Sequence, residues 1–160
     1  MQKTGNDGSD SFQDDFEGGD EEEEFRLHTF EKAGRSFIVA EGDVDLATAD
    51  ELRAVLTDTC RAVTAAAEPG GEEGSVCAAG AAGAPTVVVD LREVHFIDSA
   101  GLAVLMEVRR LYYEKCGLAL IVAEGSQPAR VIRLSRFEMY LRVVNTPEDL
   151  DAPAPAGLAR

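Results

Sequence analysis

Short apolar runs recur along this chain, each of a length that fits a β-strand rather than a helix. The run over residues 86–91 is rich in valine and shows no alternation with polar residues, which is typical of a strand buried on both faces. Shorter runs of the same kind are bounded by glycine or polar residues. The pattern therefore predicts four strands, at residues 37–40, 86–91, 118–123 and 141–144.

Between these runs, apolar residues recur every three or four positions, the spacing of a helix with one buried face. The first helix is expected to begin at Thr48–Glu51, where the threonine and glutamate side chains can form a capping box. The second follows Ser99 and is expected to end at Gly117, as its C′ residue. The third begins at Ser126, with a proline in its first turn. Its apolar positions are Val131, Ile132 and Leu134.

Alternating strands and helices predict an α/β fold, with a small mixed β-sheet packed with helices in a single domain. The domain is expected to cover residues 25–150, ending after one helical turn at 146–149. Residues 65–85 consist mainly of alanine, glycine, glutamate and proline, which predicts a flexible insertion. Residues 1–24 form a predicted disordered acidic tail, and residues 151–160 a second disordered tail.

The formal charge is −15, and it is concentrated at the N-terminus. Residues 1–24 hold ten acidic residues against one basic residue, so this segment carries −9 of the total. Neither part of the chain offers the basic stripe that nucleic-acid binding needs. An acidic surface is also repelled by anionic lipids, and the longest apolar runs are too short to span a bilayer. We therefore expect neither nucleic acid nor membrane as a partner.

The cysteines and the N-terminus indicate a cytoplasmic protein. Three cysteines, with no Cys-x-x-Cys pair, predict neither a disulfide framework nor a zinc site. Cys60 and Cys116 fall in apolar patterns and are expected to be small core residues. The first residues are polar and acidic and lack the apolar segment of a secretory signal. A reducing compartment fits these features best.

One junction between a predicted strand and a predicted helix carries the residues most open to a functional role. The sequence Val94–Leu102 places Asp98, Ser99 and Gly101 at this junction. Aspartate and serine are both favoured helix N-cap residues, so capping alone could account for them. A serine near the surface at a helix N-terminus is also where a phosphate group is favoured electrostatically. The residues by themselves leave both interpretations open.

A catalytic role for Ser99 is not supported by its sequence neighbours. A nucleophilic serine needs a base within hydrogen-bond reach. The histidines are His28 and His95, and His95 lies four residues before Ser99 in an extended stretch, from which its side chain would not fold back. No Gly-x-Ser-x-Gly elbow, metal-ligand spacing or glycine-rich phosphate loop is present. The sequence therefore predicts a protein that is not an enzyme, with no catalytic residue, cofactor or metal.

Taken together, Asp90–Leu102 resembles the signature of STAS domains, in particular that of bacterial anti-sigma factor antagonists. The earlier sequence Gly42–Asp45, followed by Thr48-Ala49 and Leu52, is similar to another segment of that family. The resemblance covers residues 26–150 apart from the insertion. The later motif is the specific one, and the earlier segment supports it.

The resemblance implies a function and a set of site residues. The serine after the aspartate, here Ser99, would be the phosphorylation site. The unphosphorylated protein would bind an anti-sigma factor that is also a serine kinase and so free a sigma factor. Phosphorylation would release it, a PP2C-type phosphatase would reset it, and the free protein would be a monomer. The implied partner-binding residues are Asp43, Asp45, Asp98, Ser99, Ala100, Gly101 and Leu102.

The chain departs from the family pattern in three places. Ala100 stands where a serine or threonine often follows, which leaves Ser99 as the sole acceptor hydroxyl. The 65–85 insertion is longer than the usual connection, and the C-terminal helix is cut to one turn. The alternative function is that of a STAS scaffold that is not phosphorylated, or a module that binds a small ligand or nucleotide.

Overall fold

The computed structural model describes residues 24–66 and 86–153, which form one β-sheet with helices. The expectations for residues 1–23, 67–85 and 154–160 lie outside the described residues. The strands are β1 (Arg26–Lys32), β2 (Arg35–Val44), β3 (Thr86–Ile97), β4 (Gly117–Ile121) and β5 (Arg142–Val144). The helices are α1 (Ala49–Ala66), α2 (Ser99–Tyr112) and α3 (Gln127–Leu134), with 3₁₀ helices at Phe137–Met139 and Glu148–Asp151.

The order of the strands in the sheet is their order in the chain, β1-β2-β3-β4-β5. β1 and β2 form an antiparallel hairpin, and β2, β3, β4 and β5 are parallel to one another. Each parallel pair needs a crossover connection. α1, α2 and α3 lie in the three crossovers. The predicted α/β class with a mixed sheet is therefore confirmed.

The sheet is buried on both faces, but unequally. One face packs with the apolar faces of all three α-helices in the larger core, which includes Ile38 and Leu120. Successive side chains of a strand point to opposite faces, so the neighbours of Ile38 and Leu120 in their strands face the other side of the sheet. There Phe37, Ile121 and Leu150 belong to a smaller core. The prediction that the 86–91 run is covered on both faces is confirmed, since every residue from 87 to 91 is buried.

The first strand was missed by the apolar pattern, because most of β1 is exposed and no apolar run marks it. It is held by the hairpin turn at Ala33 and Gly34, whose φ angles of 52° and 73° are those of a type I′ turn. Across the hairpin, Phe30 stacks on its register partner Phe37 with ring centroids 5.0 Å apart. Because the two phenylalanines lie on different strands, the periodicity within either strand does not predict their contact.

β2 and β3 are both longer than their apolar runs. β2 continues to Val44, and β3 continues past Arg92 and Glu93 to Ile97. Register shifts between the two strands accommodate the polar residues and keep Val44 and Ile97 buried. As a result, the last residues of both strands lie at the same end of the sheet.

Two helix predictions are wrong. α2 ends at Tyr112, whose carbonyl accepts hydrogen bonds from the amides of Lys115 and Cys116, both at 2.9 Å. Gly117 is therefore not a C′ residue but the first residue of β4. Leu134 was assigned to an apolar face, yet 83% of it is exposed, because α3 is only eight residues long and ends there.

The edges of two predicted segments shift by one or two residues. The last residues of α1, Ala65 and Ala66, fall within the predicted insertion. Asp151, assigned to the C-terminal tail, belongs to the last 3₁₀ helix and accepts from the Arg35 guanidinium at 2.7 Å. That ion pair, together with buried Leu150, holds the end of the domain against the sheet.

The cysteine prediction is confirmed for the two that are described. Cys60 in α1 and Cys116 before β4 are both buried and free of disulfide bonds. The hydrogen bond to the Cys116 thiol, together with burial, raises the pKa of Cys60. Cys77 lies outside the described residues.

α2 crosses the sheet closely at Gly101. A Cβ atom there would lie 2.6 Å from Val44 Cγ1 and 2.8 Å from Ile97 Cγ1. Both distances are shorter than ordinary carbon contacts, so no larger residue fits without a shift of the helix. Gly101 therefore sets the distance between the start of α2 and the ends of β2 and β3.

We expect Gly101→Ala to destabilise the protein by about 1–3 kcal/mol through overpacking, although alanine is the better helix former. The exposed Ala54→Gly in α1 serves as the matched control and should cost ~1 kcal/mol from helix propensity alone. Denaturant unfolding measures both. A stability gain in Gly101→Ala would contradict the close approach.

Candidate functional site at the start of α2

Asp98 is the N-cap residue of α2. Its backbone is extended, with φ −105° and ψ −171°, and its carboxylate accepts hydrogen bonds from the amides of Ala100 at 2.7 Å and Gly101 at 3.1 Å. These bonds satisfy two of the amides that a helix leaves unpaired at its start. The first of the two interpretations, capping, thus accounts fully for Asp98.

Capping does not account for Ser99. Ser99 is the first residue of α2, after the cap, and it is exposed. The cap bonds come from the Asp98 carboxylate, so the Ser99 hydroxyl is not needed to begin the helix. The hydroxyl instead lies at the positive end of the α2 dipole, where an anionic group is favoured. The second interpretation, a phosphate group on Ser99, therefore remains open, because Ser99 is exposed.

The backbone immediately before the site is held from both sides. The Asp98 amide donates to the carbonyl of Val44 in β2 at 3.1 Å. From the other direction, the Gln127 side chain accepts from the Ile97 amide at 2.9 Å and donates to the Ile97 carbonyl at 3.0 Å. A side-chain amide thus pairs with the end of β3 as a neighbouring strand would. Sequence analysis did not find Gln127, because no local signal links it to a strand thirty residues away.

The loop after β2 contributes the second part of the site. The Asp45 carboxylate accepts from the amides of Ala47 at 2.8 Å and Thr48 at 3.2 Å, and the Asp45 amide donates to the Thr48 hydroxyl at 3.0 Å. This reciprocal pair is a capping box that lies three residues before the predicted one. The predicted box at Thr48 and Glu51 is corrected accordingly, since the Thr48 hydroxyl is used by Asp45 and by the Asp43 carbonyl at 2.9 Å.

The two loops lie side by side. Asp43 and Phe96 are register partners in the parallel pair β2–β3, as are Val44 and Ile97. The carboxyl ends of adjacent parallel strands therefore place the Asp43–Thr48 loop next to Ser99. The two sequence segments that the family resemblance singled out come together at one edge of the sheet.

The residues predicted to bind a partner differ in accessibility. Asp43 and Ser99 are exposed, and Asp45, Asp98 and Ala100 are half-buried. The side chains of the first pair are open to a partner, whereas the Asp45 and Asp98 carboxylates are used as caps. Gly101 and Leu102 are buried and pack in the core. Their partner contacts stay a prediction, but their place in the structure is beneath the surface that Ser99 presents.

Two apolar side chains near the site were not predicted. Leu46, directly after Asp45, is 78% exposed, and Phe96, at the end of β3, is 43% exposed. Large apolar residues left in water beside a polar site are common on surfaces that bind other proteins. Only the tertiary structure separates these residues from the buried apolar residues around them.

The motif aspartate Asp90 has a structural role. It is 4% exposed, and its carboxylate accepts from the Arg92 guanidinium at 2.6 and 2.9 Å and from the Arg92 amide at 3.1 Å. The hydrogen-bonded carboxylate raises the pKa of Arg92. A buried carboxylate without this partner would be strongly destabilising, so the pair fixes β3 before it reaches the site.

No cluster of three histidine, cysteine or acidic side chains in residues 24–66 and 86–153 is arranged to hold a metal ion. Over the same ranges, none of the helices is both long and apolar enough to cross a membrane.

Removing the Gln127 amide should loosen the end of β3. We expect Gln127→Ala to cost about 1–3 kcal/mol, because it leaves the Ile97 amide and carbonyl without their partner. The Ile97 amide should also exchange with deuterium faster, and exchange measured by NMR checks this. Gln2, in the N-terminal segment outside the described residues, gives a control in Gln2→Ala, which should change neither quantity.

Two substitutions of Asp98 should distinguish the effect of its cap hydrogen bonds from the effect of its carboxylate charge. We expect Asp98→Ala to lower the free energy of unfolding by ~0.5–2 kcal/mol, and Asp98→Asn to keep most of it, because asparagine caps as well as aspartate. Thermal or denaturant unfolding measures both variants. Equal losses in the two would show that the carboxylate charge, rather than the cap, holds the start of α2.

Comparisons with known proteins identify the family and the fold. Residues 29–150 match the STAS domain. An anti-sigma factor antagonist from Mycobacterium paratuberculosis has a similar structure, with TM-score 0.63 and 19% identity over 82% of this chain and 96% of its own. A STAS-domain anti-sigma-factor antagonist from Planctomyces limnophilus is similar over 78% and 92%, with TM-score 0.53 and 11% identity. None of the curated proteins compared with the sequence matches it. The chain belongs to the STAS domain family.

Proposed function

We propose that this protein is an anti-sigma factor antagonist controlled by phosphorylation of Ser99. In its unphosphorylated form it binds an anti-sigma factor that is also a serine kinase, and a sigma factor is released. The kinase transfers the γ-phosphoryl group of ATP to the Ser99 hydroxyl, which ends the binding. A PP2C-type phosphatase restores the hydroxyl. The protein acts in the cytoplasm, is a monomer when free, and has no enzymatic activity of its own.

The observation that carries the proposal is that Asp98 and Ser99 have different roles at the start of α2. Asp98 makes the cap bonds, and Ser99 presents an exposed hydroxyl at the first position of α2. The fold does not use the Ser99 hydroxyl to begin α2, since both cap bonds come from Asp98. Ser99 is instead placed where a kinase can reach it and where the helix favours the phosphorylated product.

The effect of phosphorylation follows from charge. A phosphate adds about −1.5 to −2 charges at pH 7. The α2 N-terminus offsets part of this charge, so the free domain tolerates the modification. The same phosphate lies beside the Asp98 carboxylate and on the same edge as exposed Asp43. In a partner interface, unpaired like charges cost several kcal/mol, which weakens binding by a factor on the order of 10²–10³.

The chemistry of the surface indicates what the partner presents. Leu46 and Phe96 offer exposed apolar side chains near Ser99, and Asp43 adds a negative charge. A complementary partner has an apolar pocket for Leu46 and Phe96 and no basic group opposite Ser99, so that an added phosphate is left unpaired there. The Ile97–Asp98 backbone is held by Val44 and Gln127, so binding and phosphorylation alter the surface without a change of fold.

The proposal predicts that the Ser99 variants behave in opposite ways. Ser99→Ala should bind candidate anti-sigma kinases persistently in the presence of ATP, whereas Ser99→Asp should bind at least ~10-fold more weakly, since even one added charge opposes docking. Titration calorimetry gives the Kd values. Phosphopeptide mass spectrometry of the wild-type protein after incubation with kinase and ATP should find the phosphate on Ser99.

Exposed Ser135, at the end of α3, provides the matched control, and Ser135→Asp should bind like the wild type. If both Ser99 variants also bind like the wild type and Ser99 takes up no phosphate, the switch is wrong. The alternative of a scaffold that is not phosphorylated, or of a ligand-binding module, would then stand.

A further inference from the structure

A groove outside the Ser99 site lies along the second half of α2. It has a volume of about 600 Å³ and runs between the exposed face of α2 and the turn after the first 3₁₀ helix. We call it the α2 groove. Its lining residues are Ala103, Met106, Arg109, Arg110, Tyr113 and Tyr140. Glu107 also borders it, but its carboxylate is turned to Arg53 of α1, which donates to it at 3.0 Å.

Arg109 gives the groove its shape and part of its charge. Its guanidinium lies 4.6 Å from the centre of the Tyr113 ring and 5.7 Å from that of Tyr140. It also donates to the Tyr140 carbonyl, so the two aromatic walls are tied to α2. Arg110, beside it, is exposed. The result is an apolar cleft with two adjacent positive charges, in a chain whose formal charge is −15.

An apolar cleft with a basic rim fits an acidic segment that carries aromatic side chains. The chain contains such a segment at residues 10–17, Asp-Ser-Phe-Gln-Asp-Asp-Phe-Glu. Phe12 and Phe16 are four residues apart, so one helical turn would place both on the same side. Four acidic residues stand among and beside them. These residues lie outside the described part of the structure, and their pattern is taken from the sequence alone.

We propose that this acidic segment docks in the α2 groove of its own chain, with Phe12 and Phe16 against the tyrosines and its carboxylates beside Arg110. The sequence analysis expected the acidic tail to be disordered and gave it no role. The groove supplies apolar contacts and a charge partner together, whereas acidic charge alone would favour a solvated tail.

The chain is long enough for this contact. Phe16 and Phe25 are nine positions apart, and an extended chain of that length spans up to about 30 Å. Phe25 packs against the core that the α-helices share with the sheet, so the chain starts on their side of the sheet. β4, which α2 contacts, lies three strand spacings from β1, or about 14 Å. A segment tethered this closely has an effective concentration in the mM range, so even weak docking is populated.

Docking would cover a stripe that leads to Ser99. Ser99, Ala103, Met106 and Arg110 follow helical spacing along one side of α2. If the proposed switch at Ser99 is correct, a partner that extends along this stripe must displace the acidic segment. The docking itself does not depend on the switch, and it is tested on the protein alone.

The experiment records methyl NMR spectra of the full chain, using Met106 and Ala103 in the groove as reporters. The double variant Phe12→Ser/Phe16→Ser should shift both methyl signals, because the ring currents of the docked phenylalanines are lost. Arg110→Glu should shift them in the same direction. Salt at about 1 M should do so too, since the Debye length falls to ~3 Å. Core methyls of Leu105 and Val108 report that the fold is unchanged.

The control is Arg61→Glu, which makes the same charge change on an exposed arginine of α1 and should leave both reporters unchanged. Unchanged Met106 and Ala103 signals in the phenylalanine double variant would overturn the proposal. Signals that depend on protein concentration would also overturn it, because they would show that the segment docks in a second copy. Neither result would bear on phosphorylation of Ser99.

Discussion

The site depends on two hydrogen bonds, from the amides of Ala100 and Gly101 to the carboxylate of Asp98. They begin α2 and satisfy its first donors without any help from the next residue. The Ser99 hydroxyl is thereby left at the surface, at the positive end of a helix. Were serine the cap, its oxygen would be held by the backbone amides and would be less accessible. The switch proposed for Ser99 requires this separation of the capping residue from the exposed one.

The stiffness of the site comes from residues distant in sequence. Val44 and Gln127 bond to the backbone just before Ser99, and the missing side chain of Gly101 lets α2 lie against β2 and β3. A surface held in this way can change its charge while keeping its shape. The proposed mechanism needs only that property, because like charge at an interface is enough to prevent docking.

Charge is distributed unevenly around this frame. The Ser99 edge carries the carboxylates of Asp43, Asp45 and Asp98, so a further negative group there adds to an acidic surface. The far end of α2 has the reverse character, with Arg109 fixed between two tyrosines and Arg110 exposed beside it. One helix thus connects an end where a negative charge would oppose binding to an end where it would favour binding. The docking proposed for the acidic N-terminal segment uses the second end.

Local patterns in the sequence determined the α/β class, the parallel strands β3 and β4, the three helices and the place of Ser99. They did so because helical period, valine-rich runs and N-cap residues act within a few residues of the chain. The family resemblance added the link between Gly42–Asp45 and Asp90–Leu102. The cap at Asp45 also has a local partner, Thr48, but sequence analysis assigned the capping box to Thr48 and Glu51. Only the tertiary structure decided the strand β1, the strand start at Gly117, the hold of Gln127 on Ile97 and the exposure of Leu46 and Phe96. Each of these depends on a neighbour brought near by folding, such as a hairpin partner or an adjacent strand, or on the absence of a covering element. No period or propensity along the chain encodes such a neighbour.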